Sequence, residues 1–394
     1  MGMGHRAYLD WNATAPLRPE ARAALLAACD VMGNPSSIHA EGRAARAMIE
    51  EARRQVAALV GAEPRNVIFT SGGTEANLMA LSPALEQGGD RAPRDRLLLS
   101  AIEHPSVRCG GRFPAAAVEE VPVGPDGRVD LVALDQRLAA VSRAGERPLV
   151  SIMLANNETG VIQPIGEAAQ LVHQAGGLLH VDAVQGVGKI PCNISEMGAD
   201  LIAISAHKLG GPKGVGALVR RDETLHLGDP LVKGGGQERG GRAGTENVGG
   251  IAAFGAASAA AAAGLSHERA RIVALRDRLE AGLLAISPGA VIFGAGVERL
   301  PNTTFFAVLG VKAETALIAL DLAGVAVSSG SACSSGKVAA SHVLTAMGVA
   351  PRLGAGAIRV SLGFSTSDEE VDCFLEAWNK LVRALPKSTH GMAA

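Results

Sequence analysis

Along this chain, short unbroken runs of apolar residues alternate with longer stretches in which apolar positions recur at helical spacing. A continuous apolar run suits a strand buried on both faces, and the helical repeat suits a helix with one face on a core. On this pattern strands are predicted over 66–70, 96–100, 149–154, 178–181, 201–204 and 217–219. Helices are predicted over 19–31, 43–60, 74–85, 165–174 and 268–284. Strand and helix in alternation imply an α/β fold, a mostly parallel sheet covered by helices.

The pattern changes around the uncharged, Ala- and Gly-rich stretch 248–266. Before it come strand–loop–helix units with Gly, Ser, Thr and His at the strand ends. After it, from about residue 265, a helix-then-strand order marks a smaller α+β unit. Ala and Gly give little transfer energy, so 248–266 is expected to be a packed helix rather than a membrane span. In doubly wound sheets ligands sit at the carboxyl ends of strands, and the candidate chemistry is sought there.

Ser71-Gly72-Gly73-Thr74-Glu75 follows one predicted strand and opens a helix. Backbone N–H groups at the positive end of the helix dipole suit a phosphate, although an ordinary capped helix start reads the same. His104, in Glu103-His104-Pro105 after the next strand, suits an acid/base, a stacking ring or a plain loop residue. Asn156-Asn157 brings amides that can donate to a phenolate oxygen or a carboxylate, or simply make a turn. Asp182 ends a strand rich in Leu and Val, where a carboxylate needs a cation or several donors. A pyridinium nitrogen would serve.

Lys208 stands between an apolar run and the turn Leu209-Gly210-Gly211. Partial desolvation there would free an amine for Schiff-base chemistry, with Ser205 and His207 flanking it as candidate phosphate donors, although a surface lysine in a loop reads the same. Asp and Lys on successive strand ends are what pyridoxal phosphate requires. Cys333 lies among Ser and Gly in Ser328-Ser329-Gly330-Ser331-Ala332-Cys333-Ser334-Ser335-Gly336, which suits a reactive thiol better than a small core residue. Cys29 and Cys373, on helical faces, suit the buried role. Arg359, in an apolar strand pattern, needs a carboxylate, either a substrate's or the chain's own.

Composition narrows the partners. Hydrophobic residues are 47% of the 394 and charged residues 19%, enough for a large core. A formal net charge of −2 and 3% aromatics give no basic field and no stacking platform, so neither nucleic acid nor membrane is an expected partner. The five cysteines form no CxxC pair, and Met1 to Trp11 has no apolar signal core, so a reducing cytoplasm is expected.

Together these residues resemble the cysteine desulfurases of the NifS and IscS type, within the class V aminotransferase group of pyridoxal-phosphate enzymes. The resemblance covers nearly the whole chain. It is carried by Gly33-Asn34-Pro35-Ser36-Ser37-Ile38-His39, by Arg242-Ala243-Gly244-Thr245-Glu246-Asn247, and by residues 70–77, 101–105, 155–158, 182–185, 205–208 and 328–333. It implies the fold type I of pyridoxal-phosphate (PLP) enzymes. The large domain would span 15–262 around a mostly parallel seven-stranded sheet. Residues 1–14 and 263–394 would form a small α+β domain that carries the Cys333 loop.

The same resemblance implies that Lys208 holds the cofactor and moves the Cα proton, with His104 stacked on the ring and able to act as acid/base. Asp182 would pair with the pyridinium nitrogen and Gln185 with the phenolic oxygen. Gly73, Thr74, Ser205 and His207 would hold the phosphate, and Thr245 would reach the phosphate of a neighbouring subunit, in a homodimer with shared sites. Asn157 and Arg359 would bind the carboxylate of L-cysteine. Cys333 would take its sulfur as a persulfide, with release of L-alanine. The sulfur would pass to a protein acceptor, a scaffold or a carrier, for iron–sulfur cluster assembly or another sulfur pathway. No resident metal is implied, Cys333 meeting an iron–sulfur cluster only in passing. After Trp378 the chain has a short polar tail where the IscS pattern carries a longer scaffold-docking extension. A selenocysteine lyase or another class V aminotransferase-like enzyme is the alternative, although transamination needs no thiol.

Overall fold

The structure is a computed structural model, and it describes residues 6–330 and 340–384. Its central sheet has seven strands: β1 (Val67–Thr70), β2 (Arg96–Ser100), β3 (Val118–Val121), β4 (Pro148–Ser151), β5 (Leu178–Asp182), β6 (Leu201–Ser205) and β7 (Gly216–Arg220). Their order is β1-β7-β6-β5-β4-β2-β3. All neighbours are parallel except β7, which runs antiparallel to both β1 and β6. This is the mostly parallel seven-stranded α/β sheet expected.

Six helices cover it: α1 (Pro19–Cys29), α2 (Ala40–Leu59), α3 (Gly73–Ala80), α4 (Leu131–Arg143), α5 (Ile165–Gln174) and α6 (Val248–Ile286). Side chains alternate across a strand, so adjacent residues serve different layers. Val150, Leu179 and Ile202 join the core with Val56 of α2, Leu138 of α4, Val172 of α5 and Phe254 of α6. Leu149, Leu178 and Leu201 join the opposite core with Ala76 and Met79 of α3.

The smaller sheet comprises β8 (Ala290–Ile292), β9 (Thr303–Val308), β10 (Ser328–Ser329) and β11 (Ile358–Ser361), all antiparallel in the order β8-β9-β11-β10. Helices α7 (Ala313–Leu322) and α9 (Asp368–Ala384) cover it, and α8 (His342–Ala346) lies between them in the chain. Its core centres on Phe306, Phe374 and Trp378, with the Phe306 and Trp378 rings 5.1 Å apart edge to face. Ala7 and Leu9 enter this same core, and Ala7–Tyr8 pairs with Val325–Ala326.

Four expectations are corrected. The half-exposed edge strand β3, Val-Glu-Glu-Val, has no continuous apolar run to betray it. The helix expected over 74–85 stops at Ala80, because Pro83 disfavours helix at the residue before it, and Leu85–Gln87 pairs with Leu225–Leu227 instead. The helix expected over 268–284 is the second half of the 39-residue α6. Cys29 is exposed at the end of α1 rather than buried, whereas Cys373 is half-buried against the small core.

By length and composition α6 could cross a membrane, but its apolar side chains are used elsewhere. Ile251, Phe254, Ala257 and Ala261 enter the large core, and Ile272, Leu275, Leu279 and Leu283 enter the small one. The division expected at 262/263 therefore falls inside one continuous helix.

One buried ion pair anchors the strand that leads to the Gly-rich turn. Both Glu238 oxygens accept from the Arg53 fork, at 2.7 and 2.9 Å, and one also accepts the Phe69 N–H of β1 at 2.9 Å. Glu238 and Arg239 reach this position with φ of 47° and 55°, a left-handed conformation that costs a non-glycine residue energy. Glu238→Ala would take away the buried carboxylate that holds both arms of the Arg53 fork, leaving it Glu50 at 3.1 Å and the Val67 carbonyl. It is expected to lower the unfolding free energy by roughly 3–5 kcal/mol, read as an earlier urea midpoint; a change within about 0.5 kcal/mol would refute the anchor.

Candidate active site

The carboxyl ends of the central strands converge on a cavity of ≈ 370 Å³. Asp182 ends β5 and Ser205 ends the neighbouring β6, followed at once by His207 and Lys208. His104, Asn157 and Gln185 line the cavity from loops after β2, β4 and β5, and Gly73 and Thr74 line it from the start of α3. Arg359 of β11 closes it from the small domain. Thr245, exposed ahead of α6, does not line this cavity, and Cys333 lies outside the described residues.

Asp182 is buried but well served by donors. Asn77 Nδ2 donates to Oδ2 at 2.8 Å, and the Val184 N–H donates to Oδ1 at 3.0 Å. Asn77 Nδ2 also meets Ser106 Oγ at 2.9 Å, which lies 2.8 Å from His104 Nδ1. The Ser106 N–H donates to that same Nδ1 at 3.2 Å, which assigns the ring proton to Nε2. Burial lowers the proton affinity of His104; Asp182 opposes this and Lys208 adds to it. The ring is thus neutral at pH 7.

Lys208 Nζ donates to the backbone oxygens of Asn12 and Ala13, at 2.5 and 2.9 Å. Gln185 Nε2 also donates to Asn12 O, at 2.9 Å. Behind it, Lys189 Nζ donates to Gln185 Oε1 at 2.7 Å and to Asn12 Oδ1 at 3.0 Å. Burial, then the charges of Lys208 and Arg359, hold the Lys189 amine well below the usual lysine range. Arg359 donates to Asp10 Oδ1 at 2.8 Å and to Asn157 O at 3.0 Å. Of the two partners open to Arg359, the chain's own carboxylate is therefore present, while the guanidinium still faces the cavity.

The Gly-rich turn is a close-fitting cradle. A Cβ on Gly73 would lie 2.8 Å from Val184 Cγ2 and 3.4 Å from Ser205 Cβ. A Cβ on Gly216 of β7 would lie 2.7 Å from the Gly72 carbonyl carbon. The α3 start, with Thr74, Ser205 and His207, offers an anion N–H and O–H donors. Burial and the charges of Lys208, Lys213 and Lys189 bring His207 down to about 4, so it is a neutral donor at pH 7. An amine, a buried carboxylate and an anion cradle on one cavity fit pyridoxal phosphate, whose carbonyl, ring nitrogen and phosphate need those three partners.

Asn12, Asn77, Ser106, Asp10 and Lys189 were not singled out from the sequence. Asn77 lies one helical turn beyond Thr74, a spacing that could have suggested it. The others act through partners distant in the chain, for which a single sequence carries no signal.

Fold and cavity define an α/β enzyme built for carbonyl chemistry at a lysine. The Aminotransferase class-V model matches residues 7–374. A cysteine desulfurase of Cereibacter sphaeroides is 44% identical over 386 residues, covering 96% of each chain. The cysteine desulfurase NifS of Azotobacter vinelandii is 40% identical, covering 93% of this chain and 90% of that protein. An X-ray structure of a NifS-like protein from Rickettsia africae superposes with a TM-score of 0.85 at 35% identity, covering 96% of this chain and 100% of that one. The chain belongs to the class V aminotransferase family, on its cysteine desulfurase branch.

Two further carboxyls stand beside the cavity. Glu103 is fully buried; burial and the charge of Asp182 push it well above the usual carboxylate range, against one hydrogen bond from the Met153 N–H at 2.6 Å. Burial raises Glu158 from its ordinary 4.5 to about 7, against the Ser341 hydrogen bond and the Arg359 charge. A carboxyl raised in this way stabilises the fold fully below 4.5, and the contribution is lost as the pH rises through about 7. Glu158→Gln keeps the uncharged shape. Relative to the parent chain it should gain roughly 3 kcal/mol of stability between those two pH values and stay level outside them. Urea unfolding of both proteins at pH 4, 6 and 8 measures this, and parallel curves would refute it.

Proposed function

We propose that this chain is a pyridoxal-phosphate-dependent cysteine desulfurase, converting L-cysteine to L-alanine and passing the sulfur to Cys333. The observation that carries the reading is the pair Asp182 and Lys208 on adjacent strand ends, facing a cavity that Arg359 closes. The desulfurase relatives favour cysteine as the substrate.

When bound, pyridoxal phosphate supplies a carbonyl for the substrate amine and an electron sink for the adjacent carbon. Asp182 would pair with its ring nitrogen, with His104 and Gln185 as the residues that would hold its ring and phenolic oxygen. Gly73, Thr74, Ser205 and His207 would hold its phosphate. Arg359 and Asn157 orient the substrate carboxylate, which aims the Cα–H at the Lys208 amine. Lys208 takes that proton. His104 keeps its own proton on Nε2, where it can be lent during the exchange.

The Cys333 thiolate attacks the substrate sulfur. A sulfur–sulfur bond forms, the carbon–sulfur bond breaks, and the electron pair stays with the carbon fragment, which is protonated to alanine. Cysteine and thiol become alanine and persulfide, with no outside oxidant. This role of Cys333 rests on its sequence setting. A protein acceptor then takes the sulfur, for iron–sulfur cluster assembly or another sulfur pathway. Thr245 serves the phosphate site of a second copy in a homodimer, and the protein works in the cytoplasm.

Purified protein loaded with the cofactor should show a visible absorption band that Lys208→Ala removes. It should release alanine from L-cysteine. Cys333→Ala should retain the band, its shift on adding cysteine, and less than about 1% of the alanine release. Alanine release by Cys333→Ala at the parent rate would overturn the reading.

A further inference from the structure

Glu158 has no part in the chemistry above, yet it is only 2% exposed and follows Asn157 directly. The carbonyl oxygen of Asn157 is held by Arg359 Nη1 at 3.0 Å and by Asn12 Nδ2 at 3.2 Å, so the backbone leading into Glu158 is fixed to the cavity wall. The Glu158 N–H is in turn tied to Asn156 Oδ1 at 2.9 Å. The carboxyl is therefore delivered from a rigid support.

That carboxyl touches the chain on both sides of the stretch containing Cys333. On the far side, Ser341 Oγ donates to Glu158 Oε2 at 2.5 Å. The same hydroxyl accepts the Leu344 N–H at 3.1 Å, which caps α8. One residue on, His342 Nε2 meets the carbonyl oxygen of Glu103 at 3.0 Å, next to His104. On the near side, a Cβ on Gly330 would lie 2.3 Å from Glu158 Oε2 and 2.7 Å from Phe305 Cζ. Gly330 is thus pressed against the same carboxyl, where no larger residue fits. In the sequence Cys333 stands between these two points.

We propose that Glu158 is a positioning residue for sulfur transfer: through Ser341, and by its contact with Gly330, it sets where the Cys333 stretch leaves and rejoins the fold relative to the cavity. Glu158 acts on the thiol step and not on binding of the cofactor or on removal of the Cα proton. The inference rests on the reading of Cys333 as sulfur acceptor. Its physical ground is that a thiol must meet the substrate sulfur at near-bonding distance, and small displacements of the attacking group lose large factors in rate. An oxygen acceptor for Ser341 is what matters, so an uncharged amide should serve.

Three variants test this: Glu158→Ala, Ser341→Ala and the conservative Glu158→Gln. The cysteine-induced change in the cofactor's absorption is followed by rapid mixing, and the persulfide on Cys333 is counted by mass spectrometry after a single turnover. Glu158→Ala and Ser341→Ala should keep the absorption change within about twofold and slow persulfide formation about tenfold or more, with the loss in kcat rather than KM. Glu158→Gln should stay within about threefold of the parent in both. Equal losses in both steps, or parent-like persulfide formation in Ser341→Ala, would overturn the role of Glu158. If the parent protein itself forms no persulfide on Cys333, the sulfur-acceptor reading falls and this inference falls with it.

Discussion

A carboxylate at the end of an apolar strand can stay buried only if donors reach it, and much of the site follows from that requirement at Asp182. Its two oxygens are met by the side chain of Asn77 and the backbone of Val184. Asn77 must then sit one helical turn inside α3, which sets the Gly-rich start of that helix against the same cavity. Through Ser106 the same amide orients His104. One buried charge thereby ties together the ring-nitrogen partner, the stacking residue and the phosphate cradle.

Positive charge is concentrated opposite. Lys208 and Arg359 lie close enough to Lys189 for each to lower the proton affinity of its amine. Arg359 pairs directly with the Asp10 carboxylate. The two lysines are held by the amide and carbonyl oxygens of Asn12, Ala13 and Gln185. Burial and the neighbouring charges, against these hydrogen bonds, hold the Lys189 amine below its ordinary range. Lys208 and Arg359, which line the cavity, suit one that receives a phosphate and a substrate carboxylate.

The site is assembled from both cores. Arg359 comes from β11 of the small sheet, and Asn12 and Asp10 follow the strand Ala7–Tyr8 that joins the small core. Asn12 alone touches Lys189, Asn302 and Thr303 with its side chain and Gln185 and Lys208 with its carbonyl. The continuous α6 contributes to both cores and limits how far they can separate. Small shifts between the domains would therefore be felt at Lys208.

The α/β class, most strand positions and the residues at the strand ends were legible in local pattern alone, because burial on both faces leaves an unmistakable apolar run and the polar residue ending it stands out. Asp182, Lys208 and His104 were legible at or just after such ends, and Arg359 as a charge inside an apolar strand. Helix ends were less so: Pro83 outweighed the helical repeat after Ala80, and the edge strand β3 had no buried face to announce it. It took the folded chain to reveal that Arg359 shares its fork with Asp10, that Asn77 and Ser106 serve Asp182 and His104, and that Glu158 meets both Gly330 and Ser341. Each of those facts is a contact between residues far apart in the chain. A local pattern reports how a residue is buried but not which distant group it will be buried against.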